Sequence, residues 1–191
     1  MGEWVVGAPL PTRQEVERKV VQAVARALDR EPGEVPLSAS LTRELGAESL
    51  DFLDIAFTLE GDFQIQLPRL DILTRAAEHF GEDTLVKNGV VTDFGLEMLR
   101  KGMPELDPRS LVPGLRPDDV IGMITPASFV RIVLRLLEAR RELPAACPRC
   151  GAATRGSETA PELMCSRCDW SQPLPTGDEI LLKDMIALGR G

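Results

Sequence analysis

Tyrosine is absent from these 191 residues, and aromatic side chains make up only 4% of them. A sheet sandwich draws on β-branched and aromatic strands. Their scarcity argues for a helical bundle packed with Leu, Val, Ile and Ala. Histidine occurs once, at His79, and the chain holds no GxSxG, P-loop or GxGxxG motif. A serine or cysteine hydrolase needs a base beside its nucleophile, and no carboxylate spacing singles out an acid–base pair. These absences read as a non-enzyme. No apolar run approaches the ~18–20 residues that span a bilayer. The opening MGEWVVGAPLP lacks the basic start and the apolar length of a signal peptide. The expectation is a cytoplasmic protein with reduced thiols and no stable membrane insertion. Positive charge is also short: 22 Lys and Arg stand against 30 Asp and Glu, for a net charge of −8. An acidic surface repels phosphate backbones, so nucleic acid is a poor partner and basic patches on other proteins are better ones.

What the chain does have is helical periodicity. Residues 12–29 carry Val16, Val20, Val21, Val24 and Leu28 at helical spacing, and Thr12 with Glu15 forms a capping-box pattern. A loop follows over 31–47, in which Leu37, Leu41 and Leu45 can reach the core. A second helix is expected from about Ser49 to Phe63. Its inward face is read as Leu50, Leu53, Ala56, Phe57 and Phe63, flanked by Phe52, Ile55 and Leu59, with Asp51, Asp54, Thr58 and Asp62 opposite. Residues 71–80 and 92–103 read as helices around a turn at Asn88-Gly89. A short helical turn fits 118–124. A long helix opens at Thr125-Pro126, with Phe129, Ile132, Val133, Leu136 and Leu137 as its stripe. Thr176 and Glu179 suggest a second capping box for a closing helix that buries Ile180, Leu181, Met185 and Leu188. The stretch between, 142–176, promises little regular structure.

The segment Gly46-Ala47-Glu48-Ser49-Leu50-Asp51-Phe52-Leu53-Asp54-Ile55 sets one serine at the tip of an acidic amphipathic helix, just after a glycine turn. Taken alone, a serine there is a favoured helix cap, and acids in the first turn suit the helix dipole. The extended match reverses that reading. Residues 45–68 resemble the acyl carrier protein family, in which a Gly-x-Asp-Ser-Leu motif opens the second helix of a four-helix bundle. Glu48 stands where that motif has Asp. The resemblance implies that Ser49 carries 4′-phosphopantetheine, installed from coenzyme A by a phosphopantetheinyl transferase. It further implies that Glu48, Leu50, Asp51, Asp54, Ile55 and Glu60 meet partner enzymes such as a ketosynthase or acyltransferase. Pro117–Ile124 then resembles the family's short third helix and 126–139 its last, which makes 69–116 an insertion. LDFLDIAF followed by FQIQLP resembles specialised carriers of very long acyl chains.

Cys147, Cys150, Cys165 and Cys168 stand in the pattern C-x2-C-x14-C-x2-C. Four thiolates so spaced close a tetrahedral zinc site with no open position, and the segment resembles zinc ribbons. Such a small unit has little core of its own, so the metal is expected to be structural, stabilising the fold outright. Trp170 is expected to pack against the ribbon or the closing helix.

The expected fold class is therefore mainly α: an acyl-carrier-like four-helix bundle over 1–141 with a helical insertion, plus a zinc ribbon and closing helix over 142–191. The expected function is to hold acyl thioesters on the arm at Ser49 for fatty acid or related lipid synthesis. The rival is a non-carrier adaptor, in which Ser49 stays bare and the bundle and ribbon bind protein.

Overall fold

Thr12 ends the N-terminal arm by capping helix α1, Arg13–Ala27. Its hydroxyl accepts the Glu15 N–H, and Glu15 Oε2 accepts the Thr12 N–H at 2.7 Å. This is the reciprocal box expected from the sequence. The computed structural model describes residues 4–68, 77, 79–81, 83–157 and 160–189. Most of the expected helix over 71–80 lies outside them.

α1 packs against α2, Ser49–Phe63, and against the long helix α5, Pro126–Ala139. Val16, Val20 and Val24 from α1 meet Ile55 and Leu59 from α2 and Val133 from α5 in the main core, all six of them fully buried. The loop between α1 and α2 is stitched down. Leu41 itself is fully buried; its N–H bonds to Ile124 O and its carbonyl accepts the Ala47 N–H. The short helix α4, Pro117–Ile121, falls where a third carrier helix was expected.

The inward face of α2 differs from the reading of its sequence. Phe52, Ile55, Leu59 and Phe63 are buried, whereas Leu50, Leu53 and Phe57 are exposed. At 3.6 residues per turn the two apolar sets lie on opposite faces and share one period, so periodicity alone scores them equally. Burying Leu50 and Leu53 would also have drawn Asp54, only about 40° from Leu50, towards the core.

Residues 86–116 build a smaller unit. Val86–Lys87 (β1) and Val90–Val91 (β2) pair across Asn88 and Gly89, both at positive φ. Helix α3, Asp93–Gly102, follows with Thr92 as its cap. Val91, Leu96, Leu99 and Leu111 close a core over Val120 of α4, so the insertion covers the short third helix. Arg131 on α5 binds Glu105 at 3.0 Å and fastens the insertion to the bundle.

The cysteine segment holds more regular structure than its sequence suggests. Thr154–Gly156 (β3), Glu162–Cys165 (β4) and Ser171–Pro173 (β5) form an antiparallel sheet in the order β3-β4-β5. Strands of three or four residues are too short for alternation to register. Leu143, Leu163 and Leu174 pack beneath with Trp4, Val6 and Trp170.

Packing crosses the expected boundary between 141 and 142 from both sides. Val5 in the N-terminal arm forms a bridge with Arg155, and Trp4 O accepts the Gly156 N–H at 2.9 Å. In the other direction, the closing helix α6, Gly177–Gly189, leaves the ribbon and returns to the bundle. Ile180 enters the main core. Met185 and Leu188 pack with Phe80, Phe94 and Met98 as Leu182 does, while Leu181 is only partly buried. Asp184 takes both Arg135 Nε and Nη2, at 2.8 and 2.7 Å. That ion pair raises the Arg135 pKa, with the Asp184 hydrogen bond as its first cause.

Candidate functional site

Gly46 turns the chain at φ 77° and delivers Glu48 in extended conformation as the N-cap of α2. Asp51 Oδ2 accepts the Glu48 N–H at 2.7 Å. Ser49 is thus the first helical residue and not the cap. It is exposed, and among the described residues its hydroxyl takes part in no hydrogen bond. Capping, the structural role that serine most often plays at such a position, is filled by its neighbours. What remains is an alcohol at a helix tip, open to an incoming enzyme.

Around it, Leu50, Leu53 and Phe57 form a stripe with exposures of 76%, 46% and 61%. Glu48 and Asp54 are exposed and Asp51 is half-buried. An acidic rim therefore frames an apolar strip along one face of α2. Leu53 and Phe57 were not among the expected contact residues. A hint was present in the sequence, because Asp54 borders their face, about 60° from Phe57, and marks that edge as wet. Two expected contacts fall elsewhere. Ile55 is fully buried and packs the core, since the face that meets α1 is the one it lies on. Glu60 is half-buried, and its Oε1 accepts the Leu67 N–H at 2.8 Å, holding the chain beyond α2.

The second candidate is the cysteine cluster. The four Sγ atoms lie within 4.8 Å of one another. Cys147 and Cys168 are 3.8 Å apart and Cys150 and Cys165 3.4 Å, far beyond the ~2.05 Å of a disulfide. Four sulfurs each ~2.3 Å from one zinc ion would stand about 3.8 Å apart, so the donor set fits that ion in number, chemistry and size. The knuckles aim backbone N–H groups at sulfur: Arg149 N at Cys147 Sγ, 3.4 Å, and Arg167 N and Cys168 N at Cys165 Sγ, 3.3 and 3.4 Å. Gly151, at φ 71°, completes the first knuckle. The Arg167 N–H, followed by that of Cys168, brings the Cys165 thiol down to about 6. The Trp170 N–H pulls Cys168 the same way, but burial and the three neighbouring sulfurs outweigh it and push that thiol up to about 12. Once one of these crowded sulfurs is a thiolate, its charge opposes ionisation of the next unless a cation lies between them.

His79 is exposed and stands edge-on to Phe80. No helix among the described residues is long and apolar enough to cross a membrane.

Residues 18–77 match the family model described as a phosphopantetheine attachment site. Over 54 residues the chain is 39% identical to an acyl carrier protein of Porphyromonas gingivalis, covering 28% of this chain and 69% of that protein. An acyl carrier protein of Amoebophilus asiaticus is likewise 39% identical over 54 residues, covering 28% of this chain and 68% of that one. No solved structure matches.

Proposed function

This chain belongs to the acyl carrier protein family, and from that premise we propose that Ser49 is where it receives its 4′-phosphopantetheine arm. A phosphopantetheine carrier transports and does not catalyse. The observation that carries the assignment to Ser49 is its exposed, unengaged hydroxyl at the tip of α2, with capping done by Glu48 and Asp51. The alcohol needs no base of its own, because the phosphopantetheinyl transferase supplies one. In the loading step Ser49 Oγ bonds to the phosphorus of coenzyme A that bears the pantetheine, the pyrophosphate linkage breaks, and the adenosine-bearing phosphate leaves. The arm ends in a thiol that holds the acyl group as a thioester.

Glu48, Leu50, Asp51 and Asp54, joined by Leu53 and Phe57, form the surface that partner enzymes read. Exposed acids give fast, salt-sensitive encounter more than tight binding. The apolar strip gives each partner a small area to desolvate. A shuttle needs both, since it must release every partner. Ketosynthases and acyltransferases of fatty acid or related lipid synthesis are the partners that fit this use. The four cysteines hold one structural Zn2+, whose size and charge suit the sulfur cluster.

The deciding experiment incubates the purified chain with coenzyme A, magnesium and a broad-specificity phosphopantetheinyl transferase. A mass gain of one arm, lost in Ser49→Ala, is the expected result. An unchanged mass with every transferase tried would leave the adaptor reading in its place.

A further inference from the structure

A cavity of about 650 Å³ lies between the N-terminal arm, the end of α2 and the end of α5. Val6, Leu10, Phe63 and Leu137 supply apolar wall, and Trp4, Gln64 and Arg140 also line it. Each of these last three carries a buried side-chain N–H group with no acceptor among the described residues: Trp4 Nε1, Gln64 Nε2 and Arg140 Nε. The Gln64 amide can turn either end to a ligand, but the other two can only donate.

Arg140 is the unusual member. It is only 9% exposed, and the Trp4 ring lies 4.2 Å from its guanidinium. Its Nη2 donates to Phe63 O and Gln64 O, the carbonyls that end α2. Among the described residues no carboxylate pairs with it. Asp62, the acid on the cavity wall, is taken by Lys19 at 3.0 Å. Burial lowers the Arg140 pKa to about 10, which leaves it charged near neutral pH. Buried charges are ordinarily paired. Here a buried cation and unsatisfied donors belong to residues that line one recess, whose remaining wall is mostly apolar apart from Asp62 and Arg141, and its volume falls within the ~300–1,000 Å³ of small-molecule sites.

We propose that this recess binds a small carboxylate amphiphile, with the carboxylate at Arg140 Nε, Trp4 Nε1 and Gln64 and the hydrocarbon against Phe63, Leu137 and Leu10. A single carboxylate suits the site, because Arg140 Nη2 is already occupied and one buried charge awaits compensation. This goes beyond the carrier reading and does not depend on it. Ser49 and Phe63 lie at opposite ends of α2, about 21 Å apart at ~1.5 Å rise per residue, so the ligand is bound apart from the arm.

The test uses the full chain carrying Ser49→Ala, so that no arm can be loaded. The chain has two tryptophans, hence two indole N–H signals in a ¹H–¹⁵N spectrum, which Trp170→Phe assigns. Titration with octanoate is expected to shift the Trp4 indole signal saturably, while acetate and octanol at the same concentrations leave it in place. Gln64→Asn keeps a residue tolerant of the left-handed backbone found there (φ 52°) and is expected to weaken octanoate about tenfold; Arg140→Lys should weaken it at least as much. The proposal is overturned if octanoate moves nothing, leaving a solvent-filled recess. It is equally overturned if octanol shifts the signal as octanoate does, or if Gln64→Asn, folded by the same spectrum, binds octanoate unchanged.

Discussion

Asp51 closes the first turn of α2 by accepting the Glu48 N–H at 2.7 Å, and it does so around Ser49 without using it. A cap and an attachment residue make opposite predictions here. Ser49→Ala should abolish arm loading while changing stability by no more than about 0.5 kcal/mol. Asp51→Ala should cost about 1 kcal/mol, the usual price of losing a terminal hydrogen bond of this kind. Urea unfolding of both variants measures the difference.

The two apolar faces of α2 should respond differently to substitution. Leu53→Glu and Phe57→Glu touch exposed positions and should leave stability within about 0.5 kcal/mol. Each should raise the apparent KM of a partner enzyme for the loaded carrier. Ile55→Ala and Leu59→Ala empty a fully buried core and should cost about 2–5 kcal/mol. Paired denaturation and acyl-transfer assays separate the faces.

Metal analysis of freshly purified protein should return one zinc per chain. Cys150→Ser should lower that content and loosen the sheet β3-β4-β5, because four sulfurs crowded within 4.8 Å need a cation between them. Chelator should broaden the Trp170 indole signal first, since Trp170 packs in the ribbon cluster. A folded, metal-free ribbon would count against zinc.

The closing helix depends on the absence of a side chain at its start. Gly177 donates its N–H to Gln66 O at 2.7 Å, and a Cβ there would collide with the Pro68 ring and the Leu67 backbone. Gly177→Ala should destabilise by about 1–3 kcal/mol and should raise hydrogen exchange across α6 before it rises in α1.

Acid should weaken α1 at its first turn. The Thr12 N–H, its largest cause, holds the Glu15 carboxyl below its ordinary 4.5. A carboxyl with a lowered folded pKa contributes stability that is fully present above its unfolded value and is lost as pH falls through the folded one. Glu15→Gln should therefore flatten the acid limb of a stability–pH curve, giving up at pH 7 the contribution that the parent loses only in acid and matching the parent at low pH.

Much of this structure was legible in the sequence because it was written in short-range chemistry. Thr12 with Glu15, Thr125 before Pro126 and Thr176 with Glu179 each announced a helix start that the structure carries. Asn88-Gly89 announced a hairpin. The four cysteines converge as their spacing implied. The orientation of α2 was harder to read: two opposed apolar stripes have the same period, and beyond the hint given by Asp54 it is the surface offered by α1 and α5 that decides between them. The recess around Arg140 was hidden too. It is assembled from Trp4, Gln64 and Arg140, far apart in the chain, and no local pattern relates them.

The return of α6 to the bundle decides how a pared-down carrier could be made. Stopping translation after Arg141 would take Ile180 out of the main core and strip Arg135 of its carboxylate. The shorter protein lies inside the chain and not at its end: excise the ribbon, join the flanking helices with a designed linker, and keep the last thirteen-residue helix as a permanent buttress.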